Sequence, residues 1–124
     1  MIQELEILKA LADRNRLRVV MALCRYDELC ACQITELLQV TGATASRHLS
    51  ILQHAGLLDS RKEGRWVYYQ LAPPDGAEAL LGWVNHSFED VDEFLIDAQE
   101  LEKIIDLGRE ELCRLQRGEK CCPK

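Results

Sequence analysis

A chain of 124 residues that is 48% hydrophobic can bury one core and is too short to expect two. No run approaches the ~18 apolar residues of a membrane span, and the early acidic residues of MIQELEILKALADRNR, with no small-residue cleavage site, predict neither an anchor nor an export signal, so a soluble cytoplasmic protein with no membrane partner is expected. The net charge of −6 argues against nucleic acid when taken whole, but residues 1–40 carry five basic and six acidic side chains, 41–70 four and two, and 71–124 six and thirteen, which leaves one positive stretch as a candidate polyanion face.

Ile2, Leu5, Ile7, Leu8, Leu11 and Ala12 recur at helical spacing and predict a first amphipathic helix. Asp13 and Asn15 can cap a second, in which Leu17, Val20, Met21 and Leu23 share a face and which ends near Tyr26–Asp27. Cys32 to Val40 reads as a short helix broken at Thr41–Gly42, and Ala43 to Ala55 as another, packed through Ala45, Leu49 and Leu52 and stopped by Gly56. Two helices joined by a tight glycine-containing turn make a helix-turn-helix.

Leu57–Ser60, a charged turn over Arg61–Arg65 and the alternating Trp66–Leu71 predict a β-hairpin, a wing, with Trp66, Tyr68 and Tyr69 mainly packing it on the core. Pro73–Pro74 and Asp75–Gly76 stop regular structure. Beyond Gly76 a long helix is expected, perhaps interrupted near Gly82, whose stripe of Val91, Phe94, Leu95, Ala98, Leu101, Ile104, Ile105, Leu112 and Leu115 exceeds what a small domain can bury alone and predicts packing on a second copy. The expected organisation is a DNA-binding core over 1–75, a dimerisation region over 76–117 and a flexible cysteine-containing tail over 118–124.

Six cysteines without an export signal point to metal, metalloid or redox chemistry rather than to a disulfide framework. Cys30 and Cys32 lie at the start of the first helix of the helix-turn-helix. In a finished helix, residues two apart point about 200° from each other. The pair can therefore share one centre only in or before the first turn, where a helix N-terminus also favours thiolates.

The strings LKALADRNRLRVVMAL, ELCACQITELL and TASRHLSILQHAGLLDSRKEGRWVYYQL, in that order over residues 5–71, resemble the ArsR family of bacterial metalloregulatory repressors. The resemblance implies a mainly α fold with a β-hairpin wing: a dimeric winged helix-turn-helix that sits on double-stranded operator DNA and leaves it when a metal or metalloid binds. The arsenic-sensing branch is similar at ELCACQI, with thiolates at the positions of Cys30 and Cys32 and commonly a third three residues on, which here is Thr35.

Trivalent arsenic or antimony, both thiophilic, is the inducer this implies, and no catalytic cofactor is expected. A third sulfur would have to come from Cys24, Cys113, Cys121 or Cys122, of which Cys24 reads as core. A zinc or nickel site could draw only on His86 with Glu89, Asp90 and Asp92, and a capping or solvated histidine is the simpler reading of His86.

For DNA, Thr44, Ser46, Arg47, His48 and Ser50 can reach bases or phosphates from a helix in the major groove, and Arg61, Lys62 and Arg65 can neutralise phosphates from the wing, unless Arg47 or Arg65 pairs with Glu36 or Glu63 instead. Two other readings stand beside a metalloid-released repressor. One is a redox-sensing repressor of the same fold that uses disulfides of these cysteines. The other is a thiol enzyme such as an arsenate reductase, which would need a phosphate-cradling glycine loop and acid/base partners that the chain lacks near its cysteines.

Overall fold

The computed structural model describes residues 2–108 and Glu111. Nine elements follow in chain order: α1 (Ile2–Leu11), α2 (Arg14–Arg25), β1 (Leu29–Cys30), α3 (Ala31–Leu38), α4 (Gly42–His54), β2 (Leu58–Glu63), β3 (Trp66–Leu71), α5 (Glu78–Phe88) and α6 (Asp92–Leu107). Cys113, Cys121 and Cys122, with Leu112 and Leu115 of the apolar stripe, lie outside the described residues.

Local chemistry sets each boundary of the helical core. Asp13 adopts an extended conformation and accepts from the Arg16 backbone N–H at 3.0 Å, the side-chain cap that starts α2. Thr41 does the same for α4, accepting from the Thr44 N–H at 3.2 Å. Between α3 and α4 the left-handed residue is Gln39, at φ 56 and ψ 47, whereas Gly42, expected to break the chain there, is already the first residue of α4.

Gly56, at φ 89, does use a glycine's freedom. Its N–H donates to Gln53 O at 3.0 Å and that of Leu57 to Leu52 O at 3.1 Å, the two closing bonds of a Schellman stop.

Leu52, Leu57, Ile34, Val19 and Val20 are fully buried together and form the centre of the helical core. Against it lies a three-stranded antiparallel sheet of order β1-β3-β2. The hairpin pairs Leu58 with Leu71 through to Glu63 with Trp66, so the expected charged turn is mostly strand and only Gly64–Arg65 makes the reversal. Trp66 is buried and Tyr68 and Tyr69 are half-buried, in line with a packing role. Strand β1 was not legible in the sequence: two residues long, it pairs Leu29 with Tyr69 and Cys30 with Tyr68.

The C-terminal part differs from one long helix. It breaks at Glu89–Val91 rather than at Gly82, which lies inside α5. Phe94, Leu101 and Ile104 are buried, and α6 packs on α2 and α3 of its own chain, so much of the stripe finds its partner within the molecule. Arg18 of α2 anchors this packing, donating to both Asp97 oxygens at 2.8 and 3.0 Å, to Asn15 and to the Leu37 carbonyl.

A side chain at Gly56 would be strained at this φ and its Cβ would sit 3.0 Å from the Gln3 amide nitrogen. Gly56→Ala is expected to lower stability by about 1–2 kcal/mol, read as a lower urea midpoint at unchanged m-value.

Candidate thiol centre and nucleic-acid interface

The chain enters α3 from a strand, and that change of backbone brings the two cysteines together. Cys30 is the last residue of β1 and the N-cap of α3, extended at φ −73 and ψ 150; Cys32 is the second helical residue. Their sulfurs are 3.2 Å apart, and both residues are 0% exposed. Sulfurs that close can both lie about 2.3 Å from one soft centre.

A reciprocal capping box holds the junction. The Gln33 side-chain carbonyl accepts from the Cys30 N–H at 2.8 Å, and the Gln33 backbone N–H donates to the Cys30 sulfur. Tyr69, half-buried on β3, has its hydroxyl pKa pushed up by burial and further by charge on Cys30.

No third ligand joins them among the described residues, where no group of three His, Cys, Asp or Glu side chains is placed to hold an ion. Thr35, at the position of the third thiolate in the resembled branch, is buried and donates its hydroxyl to the Ala31 carbonyl at 2.8 Å. Cys24, expected in the core, is instead exposed. It forms part of the wall of a cavity of about 350 Å³ between α2 and the C-terminal helices, where desolvation pushes its thiol pKa up. His86 is exposed on α5 and gathers no such group.

On α4 the structure divides the expected contact residues. Ser46, Arg47 and Ser50 are exposed on one face, joined by Ala43 and Gln53, which the sequence had not singled out. Thr44 is half-buried, its hydroxyl 3.0 Å from that of Thr41 in the cap.

His48 is a correction: it is buried, turned inward, and cannot read a base from there. Its Nδ1 lies 3.3 Å from an Arg16 guanidinium nitrogen and 3.9 Å from Asp13, while Arg16 also donates to the Ala10 carbonyl at 2.7 Å. This cluster joins the end of α1 and the start of α2 to the middle of α4. Burial pushes the imidazole pKa below its ordinary value, with Arg16 and Arg47 adding to the effect against Asp13.

The wing is also divided. Lys62 and Arg65 are exposed near its tip, the Arg65 guanidinium 4.9 Å from the Trp66 ring centre. Arg61 is committed within the protein: it donates to Glu28 at 2.6 and 2.8 Å and to Glu63 at 2.9 Å and stacks 4.6 Å over Tyr68. Here it is Arg61 that pairs with Glu63. Gln53 reaches the wing from α4 through the Ser60 hydroxyl at 3.1 Å.

Two helices around a tight turn, with a hairpin beside the second, define the winged helix-turn-helix class. A homodimeric winged helix-turn-helix DNA-binding domain from Mycobacterium bovis, described as a possible ArsR-family transcriptional regulator, superposes with a TM-score of 0.61 at 31% identity over 71% of this chain and 80% of that one. The family model "Bacterial regulatory protein, arsR family" matches residues 13–60.

Two arsenic resistance transcriptional regulators of Pseudomonas putida are similar: ArsR1, 42% identical over 60% of each chain, and ArsR2, 34% identical over 72% of this chain and 73% of that one. The cadmium resistance transcriptional regulatory protein CadC of Listeria innocua is 48% identical over 49% of this chain and 51% of its own. The match therefore spans less than two thirds of ArsR1 and CadC. The chain belongs to the ArsR family of bacterial regulatory proteins. No helix among the described residues is long and apolar enough to cross a membrane.

Because folding holds the pKa of His48 below about 6.5, the unfolded state binds the proton first as pH falls. The stability from a neutral His48 is complete above that value and is lost between it and the lower folded pKa. Unfolding midpoints followed from pH 7.5 to 5 should decline less steeply in His48→Gln than in the parent.

Proposed function

We propose that the protein is a homodimeric transcriptional repressor that holds operator DNA through the exposed face of α4 and the wing, and releases it when Cys30 and Cys32 bind trivalent arsenic or antimony. The observation that carries this reading is the pair of buried sulfurs 3.2 Å apart at the first turn of the first helix of the helix-turn-helix. The donor set is soft, and thiolate sulfur suits trivalent arsenic and antimony. The names of the Pseudomonas putida relatives support the same inducer.

Release follows from where the pair sits. Ligation fixes Cys30 and Cys32 at the strand-to-helix junction. The capping box, the β1–β3 pairing and the start of α3 must all adjust to whatever sulfur geometry the ligand imposes. Helix α3 packs on α4, so ligand and DNA bias the same small unit, which is the requirement for coupling between two sites.

The DNA side rests on Ser46, Arg47 and Ser50 on α4 and on Lys62 and Arg65 on the wing. Thr44 acts at the cap of α4, His48 by positioning that helix, and Arg61 through its ion pairs. For dimerisation, α1 and α5 expose Leu5, Leu8 and Trp83, the last 62% exposed, an apolar surface suited to a second copy.

A second reading, cadmium as inducer, is favoured by the similarity to CadC. With Thr35 in place of a thiolate, the two-sulfur set also suits a singly substituted organoarsenical, which has two positions left for sulfur.

Operator binding by the reduced protein, titrated with arsenite, antimonite, methylarsenite, cadmium, zinc and peroxide, separates these readings. Release by arsenite in the parent and a shift of the half-release concentration by at least about tenfold, or 1.4 kcal/mol, in Cys30→Ser and Cys32→Ser are expected. Release at the same concentration in both variants would sink the assignment, release by cadmium without arsenite selects the second reading, and release by peroxide alone selects a redox sensor. The α4 face has its own check: Arg47→Ala should reduce the slope of log affinity against log salt by about one, and an unchanged slope removes Arg47 from the phosphate contacts.

A further inference from the structure

We propose that the Glu28–Arg61 ion pair couples the thiol pair to the wing, so that ligation at Cys30 and Cys32 moves the wing as well as the helix-turn-helix. The inference rests on the functional reading above and adds a route for regulation through that site.

One row of residues crosses the whole sheet. Cys30 on β1 faces Tyr68 on β3, and Tyr68 faces Arg61 on β2. Directly opposed residues of antiparallel strands share a face and interact as pairs. The Arg61 guanidinium lies over the Tyr68 ring at 4.6 Å. It then reaches past β3 to Glu28, holding both carboxylate oxygens at 2.6 and 2.8 Å. Glu28 stands two residues before Cys30, and residues two apart in an extended chain point to the same side. A cation of the wing is thus held by the segment that delivers the first thiol.

The bidentate geometry makes this pair a constraint rather than a mere attraction, because a guanidinium and a carboxylate joined by two bonds fix each other's orientation. Its exposure, 50% for Arg61 and 28% for Glu28, means that losing it costs little stability. A change in the path of the chain from Glu28 to Cys32 therefore reaches β2 through two connections, the short ladder β1–β3–β2 and the side-chain tie across it. Arg61 also bonds Glu63 at 2.9 Å, next to the reversal at Gly64–Arg65, which carries the constraint to the tip of the wing.

The test compares the ratio of operator dissociation constants with and without saturating arsenite in the parent, E28Q and R61K. Arsenite binding to the DNA-free thiols is measured in parallel by thiolate absorbance, and thermal midpoints confirm that each variant is folded. E28Q keeps the cations of the wing in place, and its ratio is taken against its own arsenite-free affinity. R61K keeps the wing's charge but loses the two-pronged grip. The ratio is expected to fall at least about fivefold in both variants, the lower end of typical coupling between sites, while arsenite still binds the thiols as in the parent.

The charge swap E28R/R61E should recover the ratio even though its absolute affinity for DNA is lower. Parent-like ratios in E28Q and R61K would overturn the proposal while leaving the functional reading intact. Failure of arsenite to release the parent would overturn that reading and the proposal with it.

Discussion

Two sulfurs separated by a single residue point away from each other inside a regular helix, and the organisation around α3 follows from that constraint. Cys30 must be extended, so β1 exists, short as it is, to hold it against β3. Cys32 is helical, because α3 starts at the residue after Cys30. Gln33 closes the junction from the far side through its amide. Any lengthening of α3 toward the N-terminus would turn the two thiols away from each other, which makes the helix boundary itself a functional feature.

The position of α4 is secured by a different kind of contact. Arg16 satisfies the Ala10 carbonyl near the end of α1 and faces His48, while Asp13, whose carboxyl is held below the usual range because the Arg16 N–H and charge outweigh its partial burial, starts α2. Burial at this joint disfavours the charged form of His48. The α4 surface that remains free is consequently small, polar and dominated by one arginine, Arg47, and the wing supplies the rest of the positive charge.

Much of this was legible in the sequence because it is local. Apolar spacing located α1 to α4, Gly56 marked the end of α4, and the alternation from Trp66 to Leu71 announced a strand. Helical angles restricted any shared centre of Cys30 and Cys32 to the first turn of α3 or the residues before it.

What escaped was non-local or too short to have a period. Strand β1 has two residues, and the Glu28–Arg61 tie joins positions 33 apart. The inward turn of His48 depends on the exact phase of α4 against Asp13 and Arg16. The apolar stripe was expected to pack on a second copy, but periodicity does not say whether a partner is another copy or the same chain, and α2 and α3 cover Phe94, Leu101 and Ile104 here. Thr35 was recognisable as a departure from a three-thiolate pattern; that its hydroxyl is occupied by the Ala31 carbonyl is visible only in three dimensions.

The Arg18–Asp97 pair joins residues 79 positions apart and also engages the end of α3 through Leu37. Contacts between such distant positions carry a loop-closure cost before they reward the chain, and they slow folding relative to local ones. On the ribosome, α2 and α3 emerge long before Asp97 is made. Until then Arg18 lacks the carboxylate around which its surroundings are built, and the helix-turn-helix lacks the packing of α6. The packing around α2 and α3 is therefore completed only once α6 has been made.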